Sequence, residues 1–189
     1  MTEPAGPMQE LAHATRRRLL FSCVAAVAAL CGAGLAWWKS STPPSREGVD
    51  PALWLRQFET PSGALLELRG FQGKPLVLNF WATWCPPCVE EMPLLDRFYR
   101  ENSAKGWQVV GLAIDRADPV RRFLREHPVG FPVGLAESSG AELCRNLGNL
   151  AGGLPFSLVV DSDGFIVQRK MGRVSASDIA AWSGLGGAG

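Results

Sequence analysis

The sequence predicts an α/β domain in which a mixed sheet carries helices on both faces. Three observations lead there. Apolar runs of strand length alternate with segments of helical period between residues 75 and 147. Two short β-rich runs around Asp161-Ser162-Asp163-Gly164 read as an antiparallel hairpin, followed by a last helix. Cys85-Pro86-Pro87-Cys88 stands where the first long apolar run gives way to the first helical segment.

The elements follow in order. Residues 53–60 and 64–68 flank Pro61-Ser62-Gly63, a hairpin signal. Residues 75–81 form an apolar run and read as a buried strand. Residues 89–100 place Met92, Leu95 and Phe98 on one helical face, with Pro93 expected to kink the helix. Residues 107–114 read as a second buried strand ending at Asp115. Asp118 is the expected cap of the next helix, with Pro119 at its first position. Residues 131–135 are a short extended piece. Residues 139–147 are a helix stopped by Gly148. Residues 156–160 and 165–169 pair across the turn at 161–164. Residues 175–183 close the chain as a helix capped by Ser175 or Ser177.

The N-terminus is organised differently. Residues 1–18 end in Arg16, Arg17 and Arg18, and residues 19–38 contain no charge. As a helix, that apolar stretch would span roughly 30 Å, the thickness of a bilayer core. Trp37 and Trp38 suit its interfacial end, and the arginines would stay cytoplasmic. The expectation is a transmembrane anchor at 19–38, with a cleaved signal peptide as the alternative. Residues 39–52, with Pro43 and Pro44, read as a linker, and residues 53–189 as the domain. Cys23 and Cys31 lie inside the apolar stretch and read as small apolar filler. Of the 19 basic and 18 acidic residues, Arg16, Arg17, Arg18, Glu3 and Glu10 precede Lys39, so the rest of the chain is balanced. That balance argues against nucleic acid as a partner.

The chemistry centres on the two cysteines. At a helix N-terminus, unpaired backbone N–H groups and the helix dipole favour a thiolate, the form that attacks disulfides. Two cysteines three apart can bring their Cα atoms near the usual 5.5–6 Å (roughly) of a disulfide. Cys85, outermost, is the expected nucleophile; Cys88, one turn in, resolves the mixed disulfide. Pro86 has no N–H and so removes one donor from the Cys85 thiolate. A purely structural disulfide closing so short a loop would stabilise little. A zinc site needs a second Cys or His pair, and the chain offers only His13 and His127. Neither a metal nor a cofactor is expected. Glu91, three residues past Cys88, faces the same way on the helix. It either exchanges a proton with Cys88 or simply suits the positive end of the helix dipole. Cys144 reads as a buried structural thiol, and Asp115 as a turn or cap residue.

The stretch LVLNFWATWCPPCVEEMPLL at 76–95 resembles bacterial membrane-anchored thiol–disulfide oxidoreductases of the TlpA/ResA group, which have a thioredoxin fold. GGLPFSLVVDSDGFIV at 152–167 resembles the proline loop and hairpin of that group, and residues 109–133 resemble its insert. The resemblance covers roughly residues 53–182. It implies that Pro155 is cis and packs on the disulfide. It also implies that Trp84, Pro86, Pro87, Leu154 and Pro155 meet the substrate. Glu91 takes the proton-handling role, because Asn79 replaces the buried Asp of plain thioredoxins. Implied partners are protein disulfides, such as apocytochrome c or a copper-site assembly protein, and a membrane thiol donor of the DsbD/CcdA kind. The implied location is the bacterial inner membrane, with the domain in the periplasm. The expected activity is disulfide reduction. A disulfide-forming oxidase, and a copper-binding chaperone using His127, remain alternatives.

Overall fold

A computed structural model describes residues 46–185. The stretches at 1–18 and 19–38, and most of the linker, lie outside the described residues. No helix among the described residues is long and apolar enough to cross a membrane.

Seven strands form one mixed sheet in the order β2-β1-β5-β4-β3-β6-β7. They are β1 (Gln57–Glu59), β2 (Leu65–Glu67), β3 (Leu76–Trp81), β4 (Gln108–Ala113), β5 (Val133–Leu135), β6 (Phe156–Val160) and β7 (Ile166–Met171). The helices are α1 (Pro86–Asn102), α2 (Ala117–Glu126), α3 (Glu137–Asn146) and α4 (Ala176–Leu185). β3 lies between β4, which it pairs in parallel, and β6, which it pairs antiparallel.

All six residues of β3 are buried, and the two-residue period of a strand divides them between two cores. Leu76, Leu78 and Phe80 join the core under α3 and the N-terminal hairpin, with Leu143, Cys144 and Leu147. Val77 and Trp81 join the other core, under α1, α2 and α4, with Cys88, Met92, Leu95, Phe98, Val120 and Trp182. There Phe98 meets Trp107 edge-on at 5.2 Å and Trp182 at 6.2 Å. Each such fully buried side chain contributes about 1.5–3 kcal/mol. Helices thus cover both faces of the sheet, as the sequence predicts. This is a thioredoxin-like arrangement.

Several boundaries differ from expectation. α1 begins at Pro86, not residue 89, because Pro86 and Pro87 take the first two positions, where a missing N–H costs nothing. Pro93 lies within α1 without ending it. α2 begins at Ala117 with Arg116 before it, so Asp118 does not cap the helix and instead pairs with Arg121 at 3.0 Å. α3 begins at Glu137, two residues earlier than predicted. Residues 51–55 coil as a 3-10 turn, leaving only Gln57–Glu59 of the expected first strand. The expected linker is not free of the domain. Val49 is buried, Gly48 bridges Phe165, and Glu47 accepts two hydrogen bonds from the Arg169 guanidinium. Ser175 does cap α4: its hydroxyl accepts from Asp178 N–H at 3.3 Å while Asp178 Oδ2 accepts from Ser175 N–H at 2.8 Å.

Gly134 on β5 lies under the N-terminal hairpin. A Cβ there would come within 2.8 Å of Phe58 Cβ, 3.0 Å of Leu66 and 3.1 Å of Leu112. Gly134→Ala is therefore expected to destabilise the domain by about 1–3 kcal/mol. Urea denaturation measures it, and an unchanged midpoint would show that the hairpin moves aside freely.

Candidate active site

The end of β3 and the start of α1 create the site. Cys85 is the residue before α1, and its carbonyl accepts from Cys88 N–H at 3.1 Å and Val89 N–H at 3.2 Å. Cys85 and Cys88 form a disulfide with Cα atoms 5.3 Å apart. Cys88 is fully buried and Cys85 is 5% exposed. Cys85 is the outer cysteine, as expected, but far less open than that description suggests. Both prolines occupy the first helical turn, so the first backbone donor of α1 is Cys88 N–H. Pro86 is exposed and Pro87 half-buried.

The approach to Cys85 is pinned from β4. Asp115 Oδ2 accepts from Thr83 N–H at 3.0 Å and from the Thr83 hydroxyl, and Asp115 Oδ1 accepts from Arg116 N–H at 2.7 Å. Asp115 is the turn residue the sequence suggests, with a further duty: it fixes the backbone that presents Trp84 and Cys85. Trp84 is 65% exposed, whereas Trp81 is fully buried. The Leu154–Pro155 peptide bond is cis. Pro155 is buried, and half-buried Leu154 packs against both cores. Behind it, Asn149 holds the loop by donating from Nδ2 to Gly153 O at 2.8 Å.

Glu91 points inward from α1 and is 1% exposed. Its Oε1 accepts from Asn79 Nδ2 at 2.7 Å, and its Oε2 from Val174 N–H at 2.6 Å. Burial raises its pKa to about 7, against the opposing pull of those hydrogen bonds and of Arg173 and Lys170. Glu90, next to it, is exposed and pairs with Arg173 at 2.7 Å. Asn79 also donates to Ser157 Oγ at 3.0 Å. Ser157 is the polar residue sequence reasoning missed. Only its full burial opposite Asn79 marks it, and that pairing spans 78 residues of chain.

Cys144, on α3, is free and buried, and burial pushes its pKa up to about 12. His127 ends α2, its ring 4.9 Å from that of Phe123. It lines a groove of about 400 Å³ with Val89, Met92, Pro93 and Asp96. Among the described residues, no three His, Cys, Asp or Glu side chains gather as metal ligands would.

The arrangement of disulfide, buried carboxylate and cis-proline loop invites comparison with known proteins. The model of the Redoxin family matches residues 54–181. The chain belongs to the Redoxin family. Its relatives place it in the TlpA/ResA-like branch of thioredoxin-fold proteins. It is 36% identical over 112 residues to a protein named thiol-disulfide oxidoreductase ResA from Bacillus thuringiensis. That match covers 59% of this chain, and the chain spans 62% of the length of that curated relative. Among solved structures it resembles a thioredoxin-related protein from Neisseria meningitidis serogroup B, at 28% identity and a TM-score of 0.58, over 66% of this chain and 93% of that one. It also resembles StoA from Bacillus subtilis, at 25% identity and a TM-score of 0.55, over 68% and 95%.

Two outcomes follow from the burial of these groups. Glu91 is raised from its ordinary 4.5 to about 7, so the folded domain holds a proton that the unfolded chain releases between those values. The domain therefore loses stability as pH climbs through that window, by on the order of 3 kcal/mol. Oxidised Glu91→Gln should lack that loss. Urea denaturation of both proteins at either end of the window checks it, and parallel pH profiles would refute it. Cys144 should stay unalkylated by iodoacetamide in the native reduced protein and react once urea unfolds it, as peptide mass spectrometry would show.

Proposed function

We propose that the protein is an extracytoplasmic thiol–disulfide oxidoreductase that reduces protein disulfides through Cys85 and Cys88. The observation that carries this is the disulfide itself: it lies at the start of α1, one turn from a buried carboxyl group, in a domain whose Leu154–Pro155 bond is cis.

In the reduced domain, the Cys85 thiolate attacks one sulfur of a substrate disulfide. That S–S bond breaks, a mixed disulfide forms, and the first substrate sulfur leaves as a thiolate that takes a proton from solvent. The Cys88 thiol gives its proton to ionised Glu91, and the resulting thiolate attacks Cys85 sulfur. The second substrate thiolate leaves. Two electrons have passed to the substrate, and Cys85–Cys88 is a disulfide again. Glu91 suits this exchange because its pKa lies near neutrality. Trp84, Pro86, Pro87 and Leu154 form the surface on which substrate docks, with the Leu154 backbone free to pair with an extended chain at Pro155.

Electron flow toward the substrate is supported by the prolines. A strong oxidant stabilises its reduced form by stabilising the thiolate. Here the first two helical positions carry no N–H, so Cys85 has fewer donors and its thiolate is held less firmly. The residues before Lys39, basic and then apolar, support anchoring in a bacterial inner membrane with the domain on the periplasmic side. In that oxidising compartment the spent disulfide needs a membrane thiol donor of the DsbD/CcdA kind. Substrates of the apocytochrome c or copper-site assembly class fit the family resemblance.

The test is a trap. Cys88→Ala should accumulate mixed disulfides through Cys85, and mass spectrometry identifies what is attached. Glu91→Gln should slow exchange by about a hundredfold or more, in line with the loss of a positioned proton carrier. The reduction potential should lie closer to about −270 mV than to about −120 mV. A potential at the oxidising end would reverse the direction of electron flow.

A further inference from the structure

Glu91 has a hydrogen-bond environment that suits only one of its two protonation states. Oε1 meets Asn79 Nδ2 at 2.7 Å and Oε2 meets Val174 N–H at 2.6 Å. Both partners are donors. A proton added to either oxygen finds no acceptor, because both neighbours are N–H groups. In a buried site, an O–H left without an acceptor forfeits a hydrogen bond that water cannot replace.

The side chain of Asn79 contains a remedy. It lies in the middle of β3, fully buried, opposite Ser157 on β6 and Gly111 on β4. Nδ2 makes both of its bonds, to Glu91 and to Ser157 Oγ, while Oδ1 is buried with no partner among the described residues. Gly111 offers no side chain to hold the amide in place. The terminal torsion of an asparagine is roughly two-fold, so exchange of Oδ1 and Nδ2 requires only a half-turn. After that turn, Oδ1 accepts from a protonated Glu91 Oε1. The Ser157 hydroxyl, which can donate or accept, rotates to give Oδ1 its second bond. The amide keeps two bonds in either state.

We propose that Asn79 and Ser157 act together as a two-position hydrogen-bond adaptor, in which the Asn79 amide turns over each time Glu91 gains or loses a proton. Asn79 is a positioning residue and never touches sulfur. The proposal rests on Glu91 being the proton carrier of the exchange. It also gives a reason for an amide at this position. An aspartate would set two carboxyl groups within hydrogen-bond distance, and their titrations would couple. An aliphatic side chain would leave Oε1 without a partner.

The charged and titratable groups around Glu91 are few. α1 supplies Cys85, Cys88 and Glu90; Glu90 is paired with Arg173 from the segment after β7. β7 supplies Lys170, paired with Asp178 of α4 at 2.9 Å. In the oxidised protein the two cysteines carry no proton, so among these groups a transition near neutrality belongs to Glu91.

The experiment follows the side-chain amide by NMR in the oxidised full-length chain, with labelled asparagine and glutamate, from about pH 5 to about pH 9. The Asn79 amide resonances should shift with the same midpoint as the Glu91 carboxyl carbon. Cross-peaks from the Asn79 NH2 protons to Glu91 and Ser157 should be strong at high pH and lost at low pH. In Glu91→Gln both should be independent of pH. Ser157→Thr, which keeps the hydroxyl, should preserve the behaviour. Cross-peaks that persist unchanged through the Glu91 transition would make Asn79 a fixed donor and end the proposal. The exchange rate separates the two ideas. If Asn79 turns over but Glu91→Gln exchanges disulfides at the normal rate, the adaptor stands and the proton-carrier role falls. If Glu91→Gln is slow and Asn79 stays fixed, the reverse holds.

Discussion

A carboxyl group buried in the core is the constraint around which this domain is organised. Glu91 leaves water to lie between α1 and β3, and desolvation of a charge is among the costliest events in folding. Its oxygens are met by a side chain from β3 and a backbone N–H from the segment that follows β7. Those two partners come from distant parts of the chain, so α1, the centre of the sheet and its far edge are brought into register by one residue. The helix that carries the disulfide cannot shift without breaking these bonds.

Around that fixed helix, proline is used for three separate purposes. Pro86 and Pro87 start α1 where missing donors are harmless to the helix yet consequential for Cys85. Pro93 lies within the same helix, where its ring displaces the backbone donor that the Val89 carbonyl would have received. Pro155, in the cis form, shapes the loop before β6. The pin between Asp115 and Thr83 completes the frame by tying the last residues before Cys85 to the end of β4. Trp84 is thus held outward by its backbone, with no packing of its own required.

The central strands were legible in the sequence because all but one residue of each is apolar or glycine, and burial on both faces favours that pattern. The dithiol, its outer and inner members, and the inward turn of Glu91 were legible from their three-residue spacing. Helix starts were less so. Asp118 looks like a cap, but Asp115, recruited by Thr83, turns the chain earlier, and Asp118 is left to pair with Arg121. Ser157 was invisible because an isolated serine in an apolar strand acquires meaning only from the residue opposite it. The packing of residues 47–49 was equally hidden: a Pro-, Ser- and Gly-rich run reads as linker until Arg169, more than a hundred residues later, is seen to hold it.

That last attachment fixes how the domain is held. Gly48 and Val49 join the sheet beside Phe165 and Gly164, at the end where Leu76 pairs with Val160. The disulfide lies past the opposite end, where Phe80 pairs with Phe156. At about 3.3 Å per residue, roughly 15 Å of stiff sheet separates the two. Residues 47–49 are therefore fixed at one end of a stiff post, and the two sulfurs lie at its other end. Strain entering at Arg46 would meet the Glu47–Arg169 clasp before it reached the strand end that carries the two sulfurs.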